Sequence, residues 1–171
     1  MVRNELADLL TQYRAIEFGE FTLASGAKSP YYIDVKTAVT HPDLLVAVAE
    51  SIAASHTFDV VAGVAVGGVP LCVAVSLTKK VPFTIIRASE KNHGKKSLII
   101  GDVKGKDVLL VEDVTTSGGS ALYGINALRA AGANADRVIT VVDREQGAEA
   151  MLLEHGIRLI PLVRLHELLK E

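Results

Sequence analysis

Two adjacent carboxylates, Glu112 and Asp113, follow four consecutive apolar residues, Val108, Leu109, Leu110 and Val111. They stand just ahead of a run of hydroxyls and glycines: Thr115, Thr116, Ser117, Gly118, Gly119 and Ser120. Such an apolar run reads as a strand buried on both faces and ended by the two acids, and the pattern over 121–131 reads as a helix. A strand, a loop of small residues and a helix N-terminus together make an anion site, because the free N–H groups of the first turn and the helix dipole both favour a phosphate. Carboxylates accept hydrogen bonds from hydroxyls. An acidic pair one step before a phosphate cradle therefore suits a ligand with vicinal hydroxyls beside its phosphate, as in a ribose 5′-phosphate. The plainer alternative is a strand and turn capped by Thr and Ser. The segment lacks the Gly-Lys-Ser/Thr of a triphosphate P-loop and is not a GxGxxG fingerprint.

Three other stretches carry chemistry. The loop 63–68, Gly-Val-Ala-Val-Gly-Gly, falls at the end of a predicted strand, where open α/β sheets bind ligands and where backbone amides can meet a second anion; a glycine loop there also serves simply as a turn. Residues 88–97 hold three lysines, His93 and Gly94 with no large apolar anchor, which reads as a mobile cationic loop or as solvated surface. Arg144 ends another apolar run, in Asp143-Arg144-Glu145-Gln146-Gly147, and arginine suits bidentate carboxylate recognition, although a surface arginine at a strand end reads the same way. Ahead of these, a Ser25-Gly26 turn precedes Tyr31 and Tyr32. Those aromatics read as core residues or as flat surfaces for a heterocycle.

The elements that must position these groups follow from periodicity. Leu6, Leu9, Leu10 and Tyr13 recur at helical spacing, so 3–14 reads as an amphipathic helix. Strands at 15–23 and 31–35 around the turn 25–30 make a hairpin or hood. Beyond it, helices are predicted at 42–54, 70–77, 121–131, 148–155 and 161–169, and strands at 59–62, 82–87, 98–100, 108–111, 138–142 and 157–160. Strands alternating with helices imply an α/β fold, a mostly parallel sheet with helices on both faces. The 171 residues are most simply one domain, 1–171, with 1–40 forming the N-terminal helix and hood.

Composition narrows the class. With 49% hydrophobic and 22% charged residues the chain reads as a globular protein, and a net charge of −2 gives no sign of a nucleic-acid surface. The uncharged window 60–78 is long enough for a membrane span, but Gly63, Gly67, Gly68 and Pro70 divide it into strand, loop and helix. The single cysteine, Cys72, lies in an apolar run, and charge comes too early for a secretory signal, so a cytoplasmic location is expected. His41, His56, His155 and His166 show no metal-ligand spacing and read as surface histidines.

The segment 108–121 resembles the phosphoribosyl-pyrophosphate (PRPP) motif of type I phosphoribosyltransferases, with Thr115 where that family often has an aliphatic residue. Three further segments are similar to orotate phosphoribosyltransferases in the same order: Phe21, Leu23, Ser25, Gly26, Ser29, Tyr31, Tyr32 and Asp34 of the N-terminal signature; Arg87, Lys91, His93 and Gly94 of a cationic lid; and Asp143, Arg144 and Gly147 of the D-R-x-x-G segment. The resemblance implies a type I phosphoribosyltransferase fold with a small N-terminal hood. It implies conversion of orotate and PRPP to orotidine 5′-monophosphate and pyrophosphate, a step of de novo pyrimidine synthesis, with no side-chain nucleophile. By the same resemblance, Lys91, His93 and Asp113 are catalytic. Arg87, Lys91, His93, Glu112, Asp113, Thr115, Thr116, Ser117, Gly118, Gly119 and Ser120 bind PRPP; Ser25, Tyr31, Tyr32, Thr116 and Arg144 bind orotate. Mg²⁺ is expected through PRPP and water without dedicated protein ligands, and a homodimer is expected to share its active sites through the 88–97 lid. Many family members have lysine where this chain has Ala24, Gly67 and Ala88. Fewer cations leave open a phosphoribosyltransferase for a purine or uracil, against which Arg144 and the FTLASG turn argue. A non-catalytic PRPP or nucleotide sensor is the alternative of another class, and retention of Lys91 and His93 argues against it.

Overall fold

The computed structural model describes residues 3–22, 26, 28–89 and 97–169. In chain order the elements are α1 (Arg3–Gln12), β1 (Ile16–Thr22), β2 (Lys28–Ile33), α2 (Val35–Ala38), α3 (Pro42–Ser55), β3 (Val60–Val64), α4 (Gly68–Lys79), β4 (Phe83–Ile86), β5 (Ile99–Ile100), β6 (Asp107–Thr115), α5 (Gly119–Ala130), β7 (Asn134–Asp143), α6 (Ala148–Glu154), β8 (Arg158–Arg164) and α7 (Leu165–Leu168). Six strands form one sheet in the order β5-β4-β3-β6-β7-β8, parallel except for the β4–β5 pair.

The continuous apolar runs follow from burial on both faces. Val60, Ala62, Val108, Leu110 and Val138 pack on the side of α5 and α6, while Val61, Leu109, Val111, Ile139 and Val141 pack on the side of α1, α3, α4 and α7. Strand side chains alternate, so each run supplies both layers. The predicted membrane window resolves into β3 and α4, and no helix among the described residues is long and apolar enough to cross a membrane. Cys72 is fully buried, and burial pushes its thiol up to about 11.

Two sequence expectations are corrected. The strand at 108–111 does not stop at the carboxylates but runs on through Thr115, because Glu112 pairs with Thr140, Val114 with Val142 and Thr115 with Asp143. The helix expected over 161–169 is instead the second half of β8 followed by the four residues of α7. Alternation of Leu159, Pro161 and Val163 with their neighbours fits a strand, and β8 lies at the sheet edge, where proline is tolerated. The carboxylate of Glu167 accepts from the Arg164 backbone N–H and starts the short helix there.

The hairpin β1–β2 forms the hood, with Ile16 opposite Ile33 and Phe18 opposite Tyr31. Its helix is not part of it: Leu6 and Leu10 of α1 are buried in the main core beside α3 and β8.

Candidate active site

Sheet order fixes where a ligand must go. From β3 the chain crosses through α4 to β4 on one side, and from β6 it crosses through α5 to β7 on the other, with α4 and α5 on opposite faces. The crevice at the carboxyl ends of β3 and β6 is thus the topological switch point. Into it come the loop after β3, the acidic pair, the loop after β6 and the turn after β7.

The β3–α4 loop is tight by composition. A Cβ on Gly63 would lie 2.2 Å from the Gly68 carbonyl oxygen, and one on Gly68 would lie 2.8 Å from that of Val111. Only glycines let the helix begin this close to both strands. After β6, Gly118 takes φ +87° as the N-cap of α5, and a Cβ there would meet Met151 at 2.7 Å. No side chain caps α5, so its first N–H groups and positive dipole end serve the crevice.

Glu112 and Asp113 are buried, at 4% and 5% exposure. Burial raises the Glu112 pKa from 4.5 to about 7; the Ser120 hydroxyl, donating to its carboxylate at 2.8 Å, opposes this, the neighbouring charge of Asp113 adds to it, and Lys36 opposes it. Asp113 meets Lys36, whose ammonium lies 3.0 Å from Asp113 Oδ2. Lys36 is held by α2, where Asp34 accepts from the Thr37 backbone N–H at 3.0 Å and from its hydroxyl at 2.7 Å.

Of the loop residues, Thr116 is half-buried, and Ser117, Gly119 and Ser120 are exposed at the start of α5. Thr115 sits apart from this set: it is buried at the end of β6, and its hydroxyl donates to Asp143 at 3.1 Å. Arg144 comes directly beside the loop because its backbone N–H donates to the Thr115 carbonyl. Its Nε is buried with no hydrogen-bond partner among the described residues, and the same holds for Nε of Arg87 at the end of β4. The turn behind Arg144 is braced from the C-terminus. Arg164 approaches Asp143 at 3.6 Å and Glu149 at 3.1 Å, and Glu145, at φ +55°, accepts from the His166 backbone and faces its ring at 2.9 Å.

In the hood Tyr31 is half-buried against the core, while Tyr32 is 47% exposed, its ring 5.6 Å from Phe21. Ser25, Lys91 and His93 lie outside the described residues. Lys36 and Arg164 escaped the sequence reading, which takes His166 only for a surface histidine, whereas it holds Glu145. The one local signal for Lys36 was its place two residues after the capping Asp34, since its partner is far along the chain. Of the histidines, His56 is only half-exposed, and burial holds it below its ordinary value. A concavity of about 650 Å³ lies elsewhere, lined by residues of α3, α6 and β8, and contains none of the expected site residues.

A switch-point crevice with two carboxylates, an uncapped helix start and flanking arginines offers what a sugar phosphate would need. Residues 37–152 match the family model for the phosphoribosyl transferase domain, and the chain belongs to that family. Within it, the chain is 61% identical over 166 residues to the orotate phosphoribosyltransferase of Methanocorpusculum labreanum, covering 97% of this chain and 98% of that one. It superposes with TM-score 0.85 and 32% identity on the crystal structure of Mycobacterium tuberculosis orotate phosphoribosyltransferase in complex with Fe(III) dicitrate, over 97% of this chain and 98% of that one. The same M. tuberculosis enzyme in complex with PRPP superposes with TM-score 0.79 at 30% identity, over 97% and 98% of the two chains.

Proposed function

We propose that this chain is an orotate phosphoribosyltransferase, which transfers the 5-phosphoribosyl group of PRPP to orotate and releases orotidine 5′-monophosphate and pyrophosphate. The observation that carries the reading is the buried acidic pair of β6 set between the two loops of the switch point, with Arg144 tied to the end of the same strand. A ring nitrogen of orotate bonds to C1 of the ribose as the C1–O bond to pyrophosphate breaks, and the leaving oxygen keeps the electron pair. By analogy with glycosyl transfer in hydrolases, the transition state is oxocarbenium-like, so electrostatics and positioning do the work.

Roles follow from charge and place. Glu112 and Asp113 accept from the ribose hydroxyls and stabilise positive charge on the sugar. Thr116, Ser117, Gly118, Gly119 and Ser120 hold the 5′-phosphate at the start of α5, while Thr115 anchors the turn after β7 through Asp143. The 63–68 loop faces the pyrophosphate. Arg87 meets the leaving group together with Lys91 and His93 of the lid, and Arg144 pairs with the orotate carboxylate, with Ser25, Tyr31, Tyr32 and Thr116 around the ring.

Mg²⁺ fits this site as a substrate-held ion, because the buried acidic pair of β6 opens on the crevice and PRPP brings its own oxygens. When bound, the ion neutralises pyrophosphate charge. We further propose a cytoplasmic homodimer whose lids are shared between sites. Light scattering tests the dimer against the 18.2 kDa monomer.

Loss of orotate absorbance on mixing the protein with PRPP and Mg²⁺, in parallel with uracil, hypoxanthine and guanine, tests the reaction. PRPP-dependent consumption of orotate alone is the expected result. Consumption of another base instead keeps the family and overturns the base.

A further inference from the structure

We propose that Lys36 is a diphosphate-binding residue of this site, the cation that meets the pyrophosphate end of PRPP across the carboxylate of Asp113. The inference rests on the phosphoribosyl-transfer reading above and adds to it a residue outside every motif by which that reading was reached.

Three observations on different elements converge here. The Lys36 ammonium lies 3.0 Å from Asp113 Oδ2, yet its side chain is 63% exposed while that of Asp113 is 7% exposed. An ammonium has three donors. The carboxylate faces one side of the group as an ion-pair partner, and the exposed side keeps donors for a ligand. Against the same carboxylate lies the β3–α4 loop: a Cβ on Gly67 would overlap Asp113 Oδ1 and stand 2.8 Å from Oδ2, the oxygen that Lys36 meets. The ammonium and the uncapped start of α4 therefore both lie against this one acid at the mouth of the switch point.

The third observation is charge. A diphosphate entering beside Glu112 and Asp113 meets two carboxylates, and the repulsion must be offset. Lys36 is a cation that both of them face: its ion pair with Asp113 raises its pKa, burial opposes this, and the charges of Asp113, Asp34 and Glu112 add to the rise. Its backbone is fixed in advance, since Asp34 caps α2 and Val35 and Ala38 are buried beneath it. Stability does not account for the arrangement, because an ion pair with a mostly exposed lysine adds little to it. A preset cation that approaches developing or incoming negative charge is worth more, since no reorganisation is needed when the anion arrives. The ribose hydroxyls are donors, so on binding they share Asp113 with the ammonium and leave its remaining donors for the diphosphate.

The test uses equilibrium binding to wild type, Lys36→Met and Lys36→Arg, with three probes: PRPP with Mg²⁺, pyrophosphate with Mg²⁺, and ribose 5-phosphate. The methionine variant is expected to bind PRPP and pyrophosphate roughly tenfold or more weakly, as for loss of a charge-assisted contact, and ribose 5-phosphate within about twofold of wild type. Arginine should restore most of the loss, and both variants should melt with wild type. Unchanged PRPP affinity overturns the proposal. So does an equal loss for ribose 5-phosphate, which would make Lys36 only a support for the acidic pair, and so does a marked fall in melting temperature in the methionine variant. Orotate turnover by wild type reads the base assignment separately: its failure with PRPP binding intact removes that assignment and leaves the Lys36 comparison standing.

Discussion

Glu112 and Asp113 stand on a central strand hydrogen-bonded on both sides, whereas Phe18 and Tyr32, at 55% and 47% exposure, stand on a two-stranded hairpin. The half of the crevice proposed for the ribose phosphate is thus part of the core, packed from above and below. The half proposed for the base is assembled from pieces that rest on it: a hairpin, which is marginal alone in water, and the turn after β7. The difference separates two kinds of mutational effect. Changes under the acidic pair should cost folding and activity together, while changes on the base side should cost activity alone.

The largest effect should come from Leu110→Ala, two residues before Glu112 and fully buried. Cavity formation there is expected to cost about 2–5 kcal/mol in urea denaturation; a loss under about 1 kcal/mol would break the contrast. On the other half, Arg144→Ala should lower kcat/KM for orotate by about 10²-fold, the scale for removing one partner of a buried charge pair, with no change in melting temperature. Equal losses for orotate and PRPP, or a lowered melting temperature, would place Arg144 with the core half instead.

Burial of Glu112 gives the core half a pH signature. Its folded pKa of about 7 lies above the ordinary 4.5, so the folded state holds the proton more tightly than the unfolded one. The associated stability is present in full below pH 4.5 and is lost as pH rises through 7. Comparing urea midpoints of wild type and Glu112→Gln across that window should show wild type losing about 2–3 kcal/mol relative to the variant. A gain with rising pH would mean that attraction to Lys36 outweighs burial. The smallest effect should be that of Thr115→Val, which removes the buried bond to Asp143. About 1 kcal/mol of stability is expected, with a weaker affinity for orotate than for PRPP as the sharper sign, because that bond links the two halves.

Local pattern carried much of this. The run 108–111, the glycines of both loops and the tyrosines of the hood were legible because each depends on side-chain period or turn chemistry within a few residues. The extension of β6 through Glu112 and Asp113 was not legible: acids rarely occupy central strands, and here they do so by pairing with β7 and by reaching a crevice at the sheet's end. The reading of 161–169 as helix failed because apolar residues in that short span fit both periods, and only pairing with β7 decides between them. Long-range partners were invisible for a simpler reason. Lys36 with Asp113, and Glu145 with His166, are separated in sequence by everything that the fold must first bring together.

The close approach of Gly63 and Gly68 has one more consequence. Where β3, β6 and α4 touch through Gly63, Gly68 and the Val111 carbonyl, the base of the crevice is main chain, so there is no side chain there for mutation to exchange. Adaptation to another base would then be written on the rim, in the hood and the turn that carries Arg144, while this main-chain floor passes unchanged from one variant to the next.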